Sequence, residues 1–477
     1  MNSLWQQFML SNLSLEQWRE GSVLYRRLAG GLQAWRRYSW FMEYADWIGV
    51  ALILLLFGLA PFVSNTLLGL LLICAGAFWV LMTLADDHTV NEPPLTQTPS
   101  RPSLTPIHLA LALYWGVNTL STVLSPVRRA AIVGWSKFSL YVLLFLLLAR
   151  VLRSSRIRSW LIGFYLHLSL WISVYGLRQW FFGAEALATW VDPTSPLSKA
   201  TRVYSYLGNP NLLAAYLIPS LGFSIAACLC WRGLMPKVLG IVMLVTNGSC
   251  LLFTYSRGGW IGMVVSLFVM GGLLVFWYSH RLPQPWQKLA LPILMGGLLC
   301  LFILVLVLVE PVRDRFTSML IGRGDSSNNF RINVWAAVIE MIQSRPILGI
   351  GPGNGAFNQV YPLFARPRFT ALSAYSVFLE VMVESGLIGF ISFLWFLLIT
   401  VHQGWVQLQQ LRDAHNQDGL WLMGAIATMA GMLAHGLVDT VWFRPEISTL
   451  WWLAVAIIAS HYTNLQTYPS ISHRANE

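Results

Sequence analysis

The sequence predicts an all-α polytopic membrane protein, and two observations carry that prediction. Hydrophobic residues make up 56% of the chain and charged residues only 11%, whereas soluble domains carry about a quarter charged residues. The chain also contains about twelve apolar runs, each close to the roughly 20 residues that a helix needs to cross a bilayer. Because lipid cannot satisfy backbone polar groups, these runs are expected to be helices rather than strands.

The expected spans follow one another closely, and the first two, separated only by Pro61 to Asn65, form a hairpin. They lie near residues 47–63, 65–84, 107–124, 131–149, 159–177, 211–230, 237–254, 259–278, 289–309, 377–401, 419–438 and 447–464. The chain therefore divides into an amphipathic N-terminal segment (1–46), a transmembrane domain (47–464) with a large outer loop (310–376), and a short tail (465–477).

The N-terminal segment places apolar residues at nearly helical spacing between Leu4 and Trp40, with arginines among them. This pattern favours a helix lying on the inner leaflet. A helix that docks a partner protein is the alternative, and the sequence names no such partner. Because the first long apolar run begins only after about 46 residues, we expect no cleavable signal peptide.

The five cysteines all fall inside apolar runs and lack the spacing of a metal site or a disulfide framework (Cys74, Cys228, Cys230, Cys250, Cys300). We therefore expect neither a metal nor another cofactor. Membrane lipids are the expected surroundings of these runs.

Basic residues predict the orientation of the chain. They precede the first span and follow the fourth, sixth and eighth spans (Arg19, Arg26, Arg27, Arg36, Arg37; Arg150, Arg153, Arg156, Arg158; Arg232, Lys237; Arg281, Lys288). In a twelve-span arrangement all of these lie on one side, which the positive-inside rule makes cytoplasmic. We expect a multi-pass protein of the inner (plasma) membrane with both termini in the cytoplasm. The net charge of +11 is then a topological signal, and no nucleic-acid partner follows from it.

Four arginines stand against this bias in the predicted outer loops, namely Arg128, Arg202, Arg257 and Arg331. Guanidinium groups kept there suggest an anionic ligand, such as a phosphate or carboxylate held by forked hydrogen bonds. Lys137, about two turns into the fourth span, is a further candidate because a charge at that depth is costly. Snorkelling of its ammonium group to the interface is the alternative.

The outer loop at 310–376 is long for a compact connection and is therefore a functional candidate. Phe330 to Ile342 predicts an amphipathic helix whose apolar face carries Ile332, Trp335, Ala336, Ile339 and Ile342. We expect Ser327, Asn328 or Asn329 to cap its start. Arg331 would then lie at the positive end of the helix, where anions bind, unless it is simply an exposed surface residue.

A glycine-rich segment, Gly349-Ile350-Gly351-Pro352-Gly353-Asn354-Gly355, follows this helix. Its backbone N–H groups could form a nest around an oxyanion. A tight structural turn is the equally good interpretation.

Four short motifs together resemble the O-antigen ligase and polymerase superfamily. They are Ser256-Arg257-Gly258-Gly259-Trp260, Phe330-Arg331-xxx-Trp335, Gly349-Ile350-Gly351-Pro352-Gly353-Asn354, and Leu379-xxxx-Glu384-Ser385-Gly386-xx-Gly389. Their order and spacing match across roughly residues 200 to 400. Nearly the whole chain also resembles the cyanobacterial IctB family, through the runs from Arg202 to Asn211 and from Asp325 to Trp335.

The two resemblances imply different functions. The superfamily implies metal-independent glycan transfer from a polyprenyl-diphosphate carrier at the outer face, with Arg257 and Arg331 holding the diphosphate. The closer family implies bicarbonate transport or an accessory role in inorganic-carbon accumulation. The expected ligand is therefore a lipid-linked glycan, with bicarbonate as the alternative and a non-catalytic scaffold as a third possibility. The polar residues gather at the outer boundary, which favours the interfacial enzyme.

The chain departs from the ligase pattern just before the tenth span, where ligases carry His-Asn and this chain has Tyr375-Ser376. A tyrosine is a poor general base compared with a histidine. The candidate catalytic residues in place of that histidine are Tyr375 itself, Glu380 and Glu384. His435 and Asp439, one turn apart, are another pair. Whether the chain is an active enzyme therefore stays open from its sequence.

Overall fold

The computed structural model describes residues 3–10, 32, 35, 38–86, 104–184, 202–320 and 322–462 of the chain. Regular structure in these ranges is entirely helical, with no strand. The expected all-α membrane protein is confirmed. The C-terminal tail at 465–477, most of the N-terminal segment and residues 87–103, between the second and third predicted spans, lie outside the described residues.

A helix coincides with every apolar run predicted to span the membrane. These helices are α1 (Ala45–Leu59), α2 (Asn65–Leu84), α3 (Pro106–Val123), α4 (Arg128–Val151), α5 (Ser155–Phe182), α6 (Pro210–Cys230), α7 (Leu234–Phe253), α8 (Arg257–Tyr278) and α9 (Gln284–Leu308), followed after the outer loop by α13 (Val377–Asp413), α14 (Asp418–Gly436) and α15 (Pro445–Ser460). In the described ranges, nine helices are long and apolar enough to cross a membrane. Since α1 and α15 are shorter and α3 is less apolar, the count of twelve spans stays a prediction.

The centre of the bundle is built from α6, α8 and α14. Both α6 and α14 are largely buried, whereas α9 lies at the periphery with its apolar surface exposed. Small residues let the backbones approach: a Cβ added at Gly262 of α8 would lie 2.7 Å from the carbonyl oxygen of Gly431 in α14. This close packing brings the outer ends of α8 and α14 together, where the candidate site lies.

Ion pairs join elements at the predicted cytoplasmic side. Arg150 at the end of α4 donates two hydrogen bonds, of 2.9 and 2.7 Å, to the buried carboxylate of Asp86. Arg158 of α5 donates to Asp418 at the start of α14 over 2.6 Å. Two of the arginines that predict the orientation therefore also bind neighbouring elements together.

The outer loop contains three further helices, α10 (Glu310–Leu320), α11 (Ser326–Ser344) and α12 (Asn354–Val360). The expected cap of α11 was wrong, because Asp325 accepts a hydrogen bond from the N–H of Asn328 and the helix begins four residues earlier than predicted. Arg331 consequently lies in the second turn, not the first.

The apolar face predicted for α11 is not the side that the protein buries. The buried side chains are Asn333, Val334, Ala337, Val338, Met341 and Ile342, so Ile342 alone of the predicted apolar face is buried, and Ile339 is exposed. The helix is apolar on two sides, and a small core beneath the loop decides which side is covered. That core includes Phe357 of α12, Tyr361 and Val383 of α13.

Helix α13 is broken near its outer end, which the sequence did not predict. Gly386 has φ +63° and ψ −167°, so the helical hydrogen bonds stop there. The N–H groups of Ile350 and Gly351 donate to the freed carbonyl groups of Val383 and Glu384, each over 2.9 Å. On the other side of the break, the N–H of Leu387 donates to the carbonyl of Pro346 over 2.7 Å.

The glycine-rich segment therefore serves as a structural turn that closes the break in α13. Its N–H groups at positions 350, 351 and 353 are already bonded within the protein, so the interpretation as an oxyanion nest was wrong. Non-helical backbone at the membrane is tolerated where protein covers it and supplies its hydrogen bonds, as this segment does.

Of the N-terminal segment, the structure describes the short helix Trp40–Glu43 and, near the start of the chain, the short helix Ser3–Phe8. The Ser3–Phe8 helix lies along α13, where the indole N–H of Trp395 donates to the carbonyl of Phe8 over 3.1 Å. Trp5 packs edge-on against His402, with 6.1 Å between ring centroids. The predicted position of the whole segment on the inner leaflet stays a prediction.

Candidate functional site

Three of the predicted outer arginines lie together, and we call Arg202, Arg257 and Arg331 the outer arginine cluster. Arg257 is the first residue of α8, which begins after Ser256, whose hydroxyl accepts a hydrogen bond from the N–H of Gly259 over 3.2 Å. Arg331 extends from α11, and Arg202 lies in the segment before α6. Three segments far apart in sequence therefore bring their guanidinium groups to one place.

Two aspartates balance part of this charge. Arg257 donates to the carboxylate of Asp325 over 2.9 Å. Arg331 lies 3.8 Å from the carboxylate of Asp439. It also donates to the Ser327 hydroxyl over 2.8 Å and to the Val438 carbonyl over 2.9 Å. Arg331 thereby connects α11 to the segment that follows α14.

Arg202, in the segment before α6, is the third member of the cluster. Its Nε donates to the carbonyl of Thr254 over 3.0 Å, next to the start of α8. Asn211 links it to Asp439, since the amide oxygen of Asn211 lies 3.5 Å from the Arg202 guanidinium and its amide nitrogen donates to Asp439 over 2.9 Å. Asp439 is therefore shared between Arg331 and Asn211.

The electrostatics of the cluster favour an anion. Burial lowers the pKa of Arg202 to about 10, and the positive charges of Arg257 and Arg331 add to the effect. Arg202 nevertheless stays charged at neutral pH. The three arginines with Asp325 and Asp439 carry one net positive charge, and like charges held this close repel one another. A bound anion would relieve that repulsion.

Three of the six described non-glycine residues with positive φ lie at or next to the cluster. Ser205, Tyr255 and Tyr375 have φ values of +50°, +52° and +50°. Side chains other than glycine rarely adopt this region, and such residues often mark functional sites because the surroundings must hold them there. Tyr255 comes just before Ser256 and Arg257, and Ser205 lies three residues after Arg202.

Tyr375, which stands where ligases carry histidine, lies beside the cluster. Its ring packs edge-on against Phe330, with 5.3 Å between centroids. Burial raises the pKa of Tyr375, and the negative charge of Asp439 adds to this, while Arg331 opposes it. The phenol is therefore protonated at neutral pH. It is suited to donating a hydrogen bond to an anion and poorly suited to accepting a proton.

Both candidate glutamates are buried, and each accepts a hydrogen bond from a backbone N–H group. Glu384 accepts a hydrogen bond from the N–H of Gly353 over 2.6 Å, which ties the glycine-rich segment to α13. Glu380 accepts one from the N–H of Ala374, just before Tyr375. The other carboxylate oxygen of Glu380 has no hydrogen-bond partner among the described residues.

A cavity of about 380 Å³ lies beside the break in α13. Its wall is mostly apolar and rich in aromatic rings (Tyr114, Phe138, Tyr141, Phe393, Phe396, Trp442, Trp451, Trp452). Lys137, Arg444 and Glu384 are the charged residues among the described side chains that line it.

Lys137 and Arg128 do not join the outer arginine cluster. Lys137 faces the cavity, whose described lining includes none of the three clustered arginines. Arg128 is exposed at the first position of α4, whose Gly134 contacts the glycine-rich segment. The predicted anion-binding residues are thus divided among the outer arginine cluster, the cavity that Lys137 lines and the exposed start of α4.

Sequence reasoning missed the roles of Asp325 and Asn211. Asp325 precedes a helix start and is an ordinary N-cap residue, so a closer inspection of the Gly-Asp-Ser-Ser sequence at 324–327 would have suggested it. No such signal marks Asn211, because its contact with Asp439 joins residues more than 200 positions apart. Within the described ranges, no group of His, Cys, Asp and Glu side chains could hold a metal ion.

Comparison with protein families supports the resemblance to the ligases. Residues 240–394 match the family model described as O-Antigen ligase. The match runs from α7 into α13 and includes Arg257, Arg331, Tyr375, Glu380 and Glu384, whereas Arg202, His435 and Asp439 lie outside it. No curated protein matches the chain. The match supports the O-antigen ligase superfamily, and the closer IctB resemblance stays a prediction.

Proposed function

We propose that this multi-pass membrane protein, part of which matches the O-antigen ligase family, transfers a glycan from a polyprenyl-diphosphate carrier. The outer arginine cluster would bind the diphosphate. The observation that carries this proposal is the convergence of Arg202, Arg257 and Arg331 at the ends of helices predicted to face outward.

The chemistry of a departing diphosphate fits the cluster. As the bond between the sugar and the phosphate breaks, negative charge grows on the phosphate oxygens, and fixed cations stabilise it without reorganising. Guanidinium groups also present paired N–H donors that match phosphate oxygens. Asp325 and Asp439 hold Arg257 and Arg331 in position. A diphosphate would replace those contacts with stronger ones.

The neighbouring cavity suits the apolar part of a lipid-linked substrate. Binding sites of this kind are mostly apolar with a few placed polar groups, and the cavity combines aromatic walls with Lys137, Arg444 and Glu384. Trp442 lines both this cavity and a small void beside Asp439. A substrate bound in the cavity would therefore lie close to the cluster.

Transport of a small anion such as bicarbonate is the second candidate. The break in α13 favours it, because broken helices beside a buried site are typical of secondary transporters. Glu384 lies at that break, and Lys137 and Arg444 could attract the anion into the cavity.

Reconstitution of the purified protein in liposomes tests both candidates. We expect release of polyprenyl diphosphate from a polyprenyl-diphosphate-linked oligosaccharide, and we expect Arg331→Lys to slow that release. Uptake of labelled bicarbonate, lost in Lys137→Gln, would support transport instead. If the wild-type protein carries bicarbonate and leaves the lipid-linked oligosaccharide unchanged, glycan transfer is wrong.

A further inference from the structure

His435 occupies an unusual position in the last turn of α14. Its side chain is 1% exposed, and neither ring nitrogen has a hydrogen-bond partner among the described residues. A buried polar group without a partner destabilises a protein by about 1–3 kcal/mol, so such groups call for an explanation. Packing alone would be served better by an apolar side chain.

The surroundings of His435 make room for an imidazole beside the outer arginine cluster. A Cβ added at Gly258 would lie 2.5 Å from Cδ2 and 3.0 Å from Nε2 of the His435 ring. Gly258 follows Arg257 directly, so any larger residue there would displace the imidazole. The ring therefore packs against the backbone that carries one of the clustered arginines.

A small void of about 10 Å³ lies beside His435. His435, Asp439 and Trp442 line this void, whose size is about that of one water molecule. The carboxylate of Asp439 lies 3.8 Å from the Arg331 guanidinium, and Trp442 also lines the large cavity. His435 thus shares the neighbour Asp439 with the outer arginine cluster and the neighbour Trp442 with the cavity proposed for the lipid-linked substrate.

We propose that His435 is the proton acceptor of the transfer reaction, supplying the base that is absent at Tyr375. This inference rests on the proposed function. The acceptor hydroxyl oxygen forms a bond to the anomeric carbon of the donor sugar, and the bond between that carbon and the diphosphate oxygen breaks. The diphosphate leaves with the electron pair toward the arginines, and the hydroxyl proton passes to a ring nitrogen of His435.

The other candidates suit this role less well. Tyr375 is a protonated phenol at neutral pH, because burial raises its pKa. Glu384 uses a carboxylate oxygen to hold Gly353. Glu380 holds Ala374 with one oxygen, and its other, unpartnered oxygen belongs to a residue that lines neither the large cavity nor the void beside Asp439. The carboxylate of Asp439 beside His435 would stabilise the imidazolium that forms, whereas Arg331 opposes it.

Substitution of His435 by glutamine tests the proposal, because glutamine keeps a polar side chain but cannot act as a base at the pH of the reaction. His461→Gln is the matched control, since His461 is also buried with an unpartnered ring nitrogen but lies at the other end of the bundle. We expect His435→Gln to lower the release of polyprenyl diphosphate by about 10²–10⁴-fold. Its affinity for free polyprenyl diphosphate should stay within about twofold of wild type, and His461→Gln should change neither quantity.

The pH profile separates proton transfer from a structural role. The wild-type rate should rise with pH along a limb that His461→Gln keeps and His435→Gln loses. The charged groups that face His435 are Asp439 and Arg331, so Asp439→Asn should displace that limb. If His435→Gln does not fold, an unchanged limb in Asp439→Asn overturns the role of His435.

Two failures remain distinguishable. Wild-type release of polyprenyl diphosphate with equal release by His435→Gln would overturn the role of His435 and leave the proposed function standing. Wild-type protein that neither binds polyprenyl diphosphate nor releases it from the oligosaccharide donor would overturn both.

Discussion

The guanidinium of Arg257 donates to the carboxylate of Asp325 over 2.9 Å, and the same carboxylate caps α11. The side chain of Asp325 therefore fixes the start of α11, the helix that carries Arg331. It also binds Arg257, which is proposed to bind diphosphate. Asp325 and an anionic ligand would compete for the same guanidinium.

Asp325→Asn should therefore strengthen anion binding. Asparagine caps a helix about as well as aspartate, so α11 should keep its start while Arg257 loses its counter-charge. We expect the affinity for polyprenyl diphosphate, measured by titration in detergent, to rise by about two- to tenfold, which corresponds to roughly 0.4–1.4 kcal/mol. Asp314→Asn is the control, because Asp314 is exposed. Weaker binding by Asp325→Asn would contradict direct competition.

Arg257→Lys and Arg331→Lys should each weaken binding although the charge is kept. Lysine cannot form the two-pronged contact of a guanidinium, and a hydrogen bond to a charged group contributes about 1.5–3 kcal/mol. A loss of about tenfold or more in affinity for polyprenyl diphosphate is expected. Arg323→Lys, at an exposed position, should bind like wild type. Equal affinity in wild type and Arg257→Lys would rule out the forked contact.

Tyr375 offers a separate test of the site. Because its phenol stays protonated, Tyr375→Phe should leave the pH profile of glycan transfer unchanged and lower the rate only by removal of a hydrogen-bond donor. Tyr375→His introduces the residue expected at this position in the ligases; because His435 is proposed to supply the base already, it should change the rate little in the otherwise wild-type protein and recover part of the about 10²–10⁴-fold general-base contribution in a His435→Gln background. A pH limb that disappears in Tyr375→Phe would show that the hydroxyl ionises after all.

The break in α13 predicts a stability effect at Gly386. A Cβ there would overlap the backbone of Ile347, and its φ of +63° is unfavourable for other residues. We expect Gly386→Ala to lower the free energy of unfolding by at least roughly 1–3 kcal/mol, seen as a lower melting temperature in detergent. Gly163→Ala is the control. Gly163 lies within α5, and no atom lies within 4 Å of a Cβ added there, so this substitution should be neutral or stabilising. Equal melting temperatures would argue against the broken helix.

The orientation can be tested at Arg323 in the outer loop. A membrane-impermeant maleimide should label Arg323→Cys in intact cells, because the basic clusters predict that this loop lies outside. Lys288→Cys, exposed in the second turn of α9 near the predicted cytoplasmic side, should react only after permeabilisation. Both positions are exposed, so the comparison reports the side of the membrane. The reverse pattern would invert the whole arrangement and remove the reason for calling the arginines unusual.

The sequence by itself determined where the helices lie. Each predicted apolar run coincides with a helix, because the length and hydrophobicity of a run depend on neighbouring residues and on the bilayer alone. Composition also identified the outer arginines as unusual, and the short motifs around Arg257 and Arg331 carried the resemblance that the family match supports.

Only the tertiary structure decided which of these residues meet. Arg202, Arg257 and Arg331 share one cluster while Lys137 faces a separate cavity, although all four stood out equally in the sequence. The break in α13 depends on hydrogen bonds from Ile350 and Gly351, more than thirty residues earlier in the chain. The position of His435 depends on the absence of a side chain at Gly258. Such contacts join residues that are distant along the chain, and local periodicity carries no information about them.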